Sequence, residues 1–295
     1  MPTGHDWSPV AGASSMSEDA PPRHEPSAHY DRVHGAWRLI MGEEFHYGYF
    51  ATPDMPLERA TAALTEQMLA RAAIAPGDRV LDVGCGTGRQ ACDLAAGAGA
   101  TVLGITTSAG GLAAARALAA GRGVEAARFE RRDGTDTGLA DDSFDVAWVL
   151  ESSHLMRDRR AALSECVRVL APGGRIALCD IVRRREIPFA EVRARRHEFA
   201  TLRAAFGDAH MEPLEQYAST LRDLGMTLTD STDITDLTLP TFPAWRANVA
   251  AHSAELHDLL GRQGVDEFVS STEILEAFWR DGTLGYGILA AVNAA

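Results

Sequence analysis

The sequence predicts an α/β fold, a doubly wound parallel sheet covered by helices on both faces, and three observations support it. Apolar strand-like runs alternate with alanine-rich helical runs over the middle of the chain, the pattern of a parallel sheet with crossover helices. The first of those runs ends in a glycine loop that opens a helix, VLDVGCGTGRQ over 80–90. Beyond Val182 the alternation stops and the pattern turns chiefly helical. No internal repeat is visible, so the chain reads as one doubly wound domain with helical additions at its N-terminal side and after the fifth strand.

Residues 1–26, rich in Pro, Ser, Gly, Ala and His, lack hydrophobic periodicity and read as a flexible tail. From 27 to 56 the pattern changes: Tyr30, Val33, Trp37 and Met41 fall near helical spacing, and the aromatic group Phe45, His46, Tyr47, Tyr49 and Phe50 follows. This predicts an amphipathic helix and a tight aromatic turn, together a lid. The helix's apolar face also offers a surface to a second copy of the chain, a homo-oligomer contact. Span 57–73 places Leu57, Leu64 and Met68 among helix-favouring alanines, and APGD breaks it before a strand at 79–83. The alternation then runs helix 90–98, strand TVLGITTS, helix 111–120, strand 127–131, strand FDVAWVLE and helix 160–170, the last with Leu163, Cys166, Val167 and Leu170 on one face. PGG at 172–174 is a turn into strand RIALCDIV. Then come a helical, Arg-rich stretch at 183–217, a strand in LGMTLTDSTDIT, a helical segment at 242–260 and a closing strand LGYGILAAVN. A cofactor-binding core at 57–182 is thus followed by a substrate lid and the last strands at 183–295.

Composition limits the partners. The chain has 295 residues and a net charge of −13, which repels phosphate backbones and anionic lipid, so neither nucleic acid nor membrane is an expected partner. The four cysteines, Cys85, Cys92, Cys166 and Cys179, lack CxxC spacing and read as buried thiols of a reducing compartment. Neither a signal-peptide order nor an apolar run of membrane-spanning length is present, so the expected location is cytoplasmic. His252 and His257, five apart, do not have the helical spacing of a zinc pair, and no metal is expected.

The glycine loop carries the chemistry. A dinucleotide pyrophosphate needs G-x-G-x-x-G, but the third glycine's place holds Arg89. Asp82, at the end of the strand, would also repel a pyrophosphate and welcome a cation. S-adenosylmethionine carries an ammonium and a sulfonium, with a carboxylate suited to the N–H groups opening the next helix. The bare backbone at Gly84 and Gly86 lets such a ligand approach where a Cβ would collide.

On VLDVGCGTG, GITTS, RRDGTD, SFDVAWVLESSHLMRD and RVLAPGGRIAL, the chain resembles the class I S-adenosylmethionine-dependent methyltransferases. It looks most like their small-molecule subgroup, which includes sarcosine, tocopherol, antibiotic-sugar and prenyl diphosphate methyltransferases. The resemblance covers about 30–178 well and continues weakly to the C-terminus. It implies a Rossmann-like seven-stranded sheet in the order 3-2-1-4-5-7-6 with the last strand antiparallel. It also implies S-adenosylmethionine as cofactor and S-adenosylhomocysteine as product, with Asp82, Gly84 and Gly86 around the methionine and ribose. Asp133 and the Gly134 backbone match the position that reads the adenine amino group, although an aspartate before a glycine is equally a turn residue. Many members end the second strand with an acidic residue on the ribose. Here Ile105, Thr106, Thr107 and Ser108 stand there, and Thr106 or Thr107 is the ribose candidate.

Glu151 to His154, just past the fourth strand, should lie at the carboxyl edge of the sheet beside the cofactor. His154 is the candidate general base, because its pKa lies near working pH, although packing beneath the lid explains such a histidine as well. Glu151 could hold the cofactor, orient His154 or steady positive charge on the acceptor. Tyr30 and Tyr47 are candidate cofactor or substrate contacts, with core packing the alternative for each ring. Arg183, Arg184, Arg185, Arg193, Arg195, Arg196 and Arg203 either pair with Glu186, Glu191 and Glu198 on solvated helix faces or form a lid that grips an anionic acceptor. The expected acceptor is a small molecule, apolar or anionic, methylated on oxygen ahead of nitrogen or carbon. Methylation of an alkene with carbocation cyclisation, a non-methylating cyclase, and a binding protein that keeps the fold stay open as alternatives.

Overall fold

The strands β1 (Arg79–Val83), β2 (Thr101–Thr106), β3 (Ala127–Arg131), β4 (Phe144–Leu150), β5 (Leu170–Arg183), β6 (Met226–Asp233) and β7 (Leu284–Asn293) pair into one seven-stranded sheet. They come from a computed structural model that describes residues 35–294. The order is β3-β2-β1-β4-β5-β7-β6. The first five strands run parallel, and β7 inserts antiparallel to both β5 and β6. This is the Rossmann-like order the resemblance implies. β1, an interior strand between β2 and β4, is buried along four of its five residues, so its apolar run needs cover on both faces.

Two cores supply that cover. One face packs Val80, Val146, Trp148 and Ala177 beneath α2 (Leu57–Ala72) and α3 (Arg89–Ala98). The other packs Leu81, Leu103 and Val149 against α5 (Arg159–Val169), whose Leu163 and Cys166 lie in the same cluster. Side-chain caps fix the helix starts: Ser108 accepts from Gly111 N–H at 2.9 Å to open α4 (Ala109–Arg122), and Asp158 accepts from Ala161 N–H at 2.9 Å to open α5. Such caps are each worth about 1 kcal/mol.

Three local readings change. PGG is a bulge within β5 and not a turn before it, because Phe144 pairs with Leu170 and Val146 with Arg175. The Arg-rich stretch divides into α6 (Phe189–Ala194), α7 (Arg196–Phe206) and α8 (Leu214–Asp223), with Pro188 and Pro213 at the N-caps of α6 and α8. After the short α9 (Thr235–Thr238), the later helical segment is α10 (Thr241–Ala251) followed by a 28-residue α11 (Ser253–Arg280). Gly261, at φ 70 and ψ 165, is non-helical, so α11 is two helices joined across a kink at that residue.

The described residues 35–41 of the first helix, α1, spend their apolar face inside the chain. Ala36, Trp37, Ile40 and Met41 join the first core, and Asn248 Nδ2 donates to the Ile40 carbonyl at 2.8 Å. The surface expected to meet a second copy is therefore covered at those positions, while Tyr30 and Val33 lie outside the described residues. Main-chain bonds from Tyr49 to the Ala60 carbonyl and from Phe50 to the Leu237 carbonyl, each 2.8 Å, pin the aromatic turn beside the sheet edge. Among the described residues no helix is long and apolar enough to cross a membrane.

Candidate active site

A cavity of about 910 Å³ opens at the carboxyl edge of β1, β2 and β4, the end of a doubly wound sheet where ligands bind. Asp82, Gly84, Gly86, Thr106, Thr107, Asp133, Gly134 and Glu151 all line it. The sheet order explains the assembly, since β1 lies between β2 and β4 and their C-terminal loops converge.

Asp82 is the strongest electrostatic feature of this wall. It is 3% exposed, and its Oδ2 has no hydrogen-bond partner. Burial pushes the carboxyl up to about 7. A buried carboxylate without a partner is costly, and it fits a cationic ligand group that completes it.

The glycines divide their work. A Cβ on Gly84 would lie 2.3 Å from Ser152 Cβ, and one on Gly88 would lie 2.7 Å from Ala115 Cβ, so these two are bare to let the protein pack. A Cβ on Gly86 would meet nothing within 4 Å although the residue lines the cavity. Gly86, at φ 52, is therefore the position whose open side faces ligand space. This refines the expectation that both Gly84 and Gly86 make room for the cofactor.

The remaining cofactor candidates fall on the same wall. Thr106 is buried, with its Oγ1 accepting from Ser108 N–H at 3.2 Å, and Thr107 is half-buried. Asp133 Oδ1 accepts from the Thr135 N–H and Oγ1–H, each at 2.8 Å. Its turn role is thus present, and it still borders the cavity.

Glu151 sits in the left-handed region at φ 45, a strained conformation for a residue with a side chain. Its Oε1 accepts from Tyr47 N–H at 2.8 Å and from the Tyr286 hydroxyl. Burial raises its pKa. Tyr47 contributes through that main-chain N–H. Its ring lies in an aromatic cluster instead of on the cavity wall, stacked on Trp279 at 5.4 Å and 4° and flanked by Phe242 and Trp245. The lid reaches the cavity through Glu43, Glu44, Phe45 and His46. Burial opposes charge on both members of the His46–Glu44 pair, yet their contact, 2.6 Å from His46 Nε2 to Glu44 Oε2, raises the His46 pKa and lowers that of Glu44.

His154 lies in a one-turn 3₁₀ segment, Ser153–Leu155. Ser152 and Leu155 on either side of it line the cavity, but His154 itself is not on the cavity wall: its ring is buried behind it with Nδ1 2.6 Å from Asp180 Oδ1. Asp180 Oδ2 accepts from the His154 N–H at 3.0 Å and from the Ser153 hydroxyl. Burial alone would lower the His154 pKa, but the Asp180 charge and hydrogen bond outweigh it and hold the imidazole above its usual value. Burial would raise Asp180, yet His154 holds its carboxyl below the usual range. Asp180 was not singled out in the sequence. The available signal was the one that marked Asp82, a lone carboxylate near the end of an apolar strand, here in RIALCDIV.

The arginines largely satisfy the ion-pair reading. Arg183 meets Glu186 at 2.7 Å, Arg185 meets Glu191 at 2.6 Å, and Arg195 meets Glu198 at 2.7 Å and Asp281 at 3.0 Å. Arg195 also stacks over Phe278, 3.7 Å from its ring centroid. Among the described residues no group of three or more His, Cys, Asp or Glu side chains is placed to hold a metal.

Comparison with known proteins agrees with this geometry. Residues 81–178 match the family model described as "Methyltransferase domain". Methyltransferase GfsG of Streptomyces halstedii is 37% identical over 226 residues, which are 75% of this chain and 79% of that protein. The 27-O-demethylrifamycin SV methyltransferase of Amycolatopsis mediterranei is 30% identical over 263 residues, 89% of this chain and 94% of its own. Among solved structures, the cyclase SpnF superposes with a TM-score of 0.76 at 28% identity, covering 90% of this chain and 94% of that one. The glycine loop, the sheet order and these relatives lead to one conclusion: the chain belongs to the class I S-adenosylmethionine-dependent methyltransferases.

Proposed function

We propose that this methyltransferase acts on an oxygen of a small specialised metabolite, with His154 as general base. The observation that carries the reading is the buried His154–Asp180 pair, 2.6 Å apart, on the turn that borders the cavity. An oxygen nucleophile must lose its proton as it is methylated. Asp180 accepts at Nδ1 and leaves Nε2, on the opposite side of the ring, to take that proton. The raised pKa makes the imidazole a stronger base than a free histidine.

S-adenosylmethionine, when bound, supplies an electrophilic methyl group on a positively charged sulfur. In this chain Asp82 would hold its cationic portion, Gly86 would leave space for it, Thr106 or Thr107 would meet the ribose, and Asp133 with Gly134 the adenine. Glu151 fixes the lid to the sheet edge through Tyr47 and Tyr286. Residues 57–182, with β6 and β7 completing the sheet, then serve as the cofactor core, while residues 35–56 and the helices between β5 and β7 close over it and exclude water. Phe45, Leu155 and Met156 give the cavity an apolar side, suited to an apolar acceptor. The name of the Amycolatopsis relative, which specifies 27-O-demethylrifamycin SV, supports an oxygen acceptor. The four cysteines are free and buried, in keeping with a cytoplasmic enzyme.

A second reading is a cyclisation that keeps the cofactor as a structural element, favoured by the likeness to SpnF. Incubation with methyl-labelled cofactor and a panel of hydroxylated metabolites, followed by mass spectrometry, separates the two. A product heavier by one labelled methylene unit supports methyl transfer, and an isomer of unchanged mass supports cyclisation.

A further inference from the structure

Arg159, the first residue of α5, is only 8% exposed. Burying a guanidinium costs several kcal/mol unless it is engaged; Nη1 of Arg159 is buried with no hydrogen-bond partner, and the described hydrogen bonds of its other nitrogens go to carbonyl oxygens. Nε donates to the Ser153 carbonyl at 3.1 Å, and Nη2 donates to those of Met156, at 3.4 Å, and His210. The Cζ lies 5.4 Å from the Tyr217 ring centroid. Two of these carbonyls flank His154 in sequence, and the third belongs to the connection between α7 and α8. That connection returns a bond of its own, from His210 N–H to the His154 carbonyl at 2.7 Å. It starts at Gly207, φ 91, a backbone state that favours glycine, and its Asp208 lines the cavity beside Met156 and Arg157.

We propose that Arg159 is a positioning residue that clamps the 207–213 connection onto the His154 turn, so that closure of this cavity wall and alignment of the His154–Asp180 pair occur together. The inference rests on His154 being the base. An arginine suits the task because its planar fork holds donors at fixed, separated positions that match several carbonyls, whereas a lysine offers one compact ammonium. A displacement of the base by about 1 Å is enough to cost on the order of 10²-fold in rate.

The test compares Arg159→Lys and His210→Pro, the second deleting the His210 N–H donor while also fixing its φ and replacing an exposed side chain, in wild-type and His154→Ala backgrounds. Folding is checked by circular dichroism, and kcat, acceptor KM and cofactor Kd are measured with the acceptor found by the metabolite panel. The clamp predicts kcat lower by about 10- to 100-fold in the wild-type background and a cofactor Kd within about twofold of wild type. It also predicts almost no further loss on top of His154→Ala, since groups acting as a unit are not additive. Wild-type kcat in a folded variant, or losses that multiply with His154→Ala, would overturn the clamp alone. Full activity of His154→Ala would overturn the base reading and the clamp with it. Should Arg159→Lys fail to fold, His210→Pro gives the same decision.

Discussion

His154 Nδ1 lies 2.6 Å from Asp180 Oδ1, and the other oxygen of that carboxylate accepts the His154 main-chain N–H at 3.0 Å. One fully buried aspartate thus fixes both the ring and the peptide of the candidate base. His154→Ala should lower kcat by about 10²- to 10⁴-fold, the usual contribution of general-base catalysis, without changing cofactor affinity. Asp180→Asn removes the charge that raises the His154 pKa. The acid limb of the kcat–pH profile, where the base becomes protonated, should therefore move to lower pH as kcat falls. An unmoved limb in Asp180→Asn would show that another group titrates there.

Glu151 joins the end of β4 to the lid and to β7. Glu151→Ala leaves the Tyr47 N–H and the Tyr286 hydroxyl without their acceptor, which costs about 1–3 kcal/mol per buried group. Glu151→Gln keeps an oxygen acceptor at the same reach. Thermal unfolding and cofactor Kd should both worsen clearly in the alanine variant and only mildly in the glutamine variant. Equal effects would place the importance of Glu151 in its charge and not in its hydrogen bonds.

The glycine loop separates folding from binding. Gly84→Ala forces a Cβ to within 2.3 Å of Ser152 and should lower Tm and the yield of folded protein. Gly86→Ala meets no protein atom within 4 Å. It should cost about 1 kcal/mol of backbone strain while weakening the cofactor by a larger factor. Calorimetric unfolding set beside cofactor titration checks both, and a Gly86→Ala enzyme with wild-type affinity would move the ligand off this loop.

Asp82 should be a liability in the ligand-free enzyme. Its pKa is raised from 3.8 to about 7 by burial. The folded state therefore holds its proton more tightly than the unfolded chain, and stability present below about pH 4 is lost as pH rises through 7. Asp82→Asn should raise the Tm of the ligand-free protein at pH 8, with the gain shrinking toward pH 4. A gain that does not depend on pH would assign the destabilisation to something other than this carboxyl.

The sheet was legible because most of its strands are apolar runs bounded by breakers, β3 (ARFER) and the alternating β6 (MTLTDSTD) being exceptions, and the closing run LGYGILAAVN matches β7 from Leu284 to Asn293 residue for residue. The helical segment read up to Leu260 ends where Gly261 breaks α11 into two helices. The second of them was not read from the sequence, although Val265, Phe268, Leu275 and Phe278 bury it against the first core. The cofactor wall could be read because its residues cluster at the ends of successive strands. Asp180 and Arg159 escaped because their meaning lies in partners from other elements. Asp180 meets a histidine 26 residues earlier, and Arg159 meets a carbonyl 51 residues later. Tyr47 was marked for its ring, but its main-chain N–H is what touches Glu151, a distinction that no side-chain pattern encodes.

The most direct measurement is isothermal titration of S-adenosylmethionine into wild-type enzyme and Asp82→Asn at pH 8. Loss of a charge-assisted contact worth about 1.5–3 kcal/mol predicts affinity weaker by about 10- to 100-fold in the variant, whereas equal affinities would contradict the assignment of Asp82 to the cofactor's cationic end.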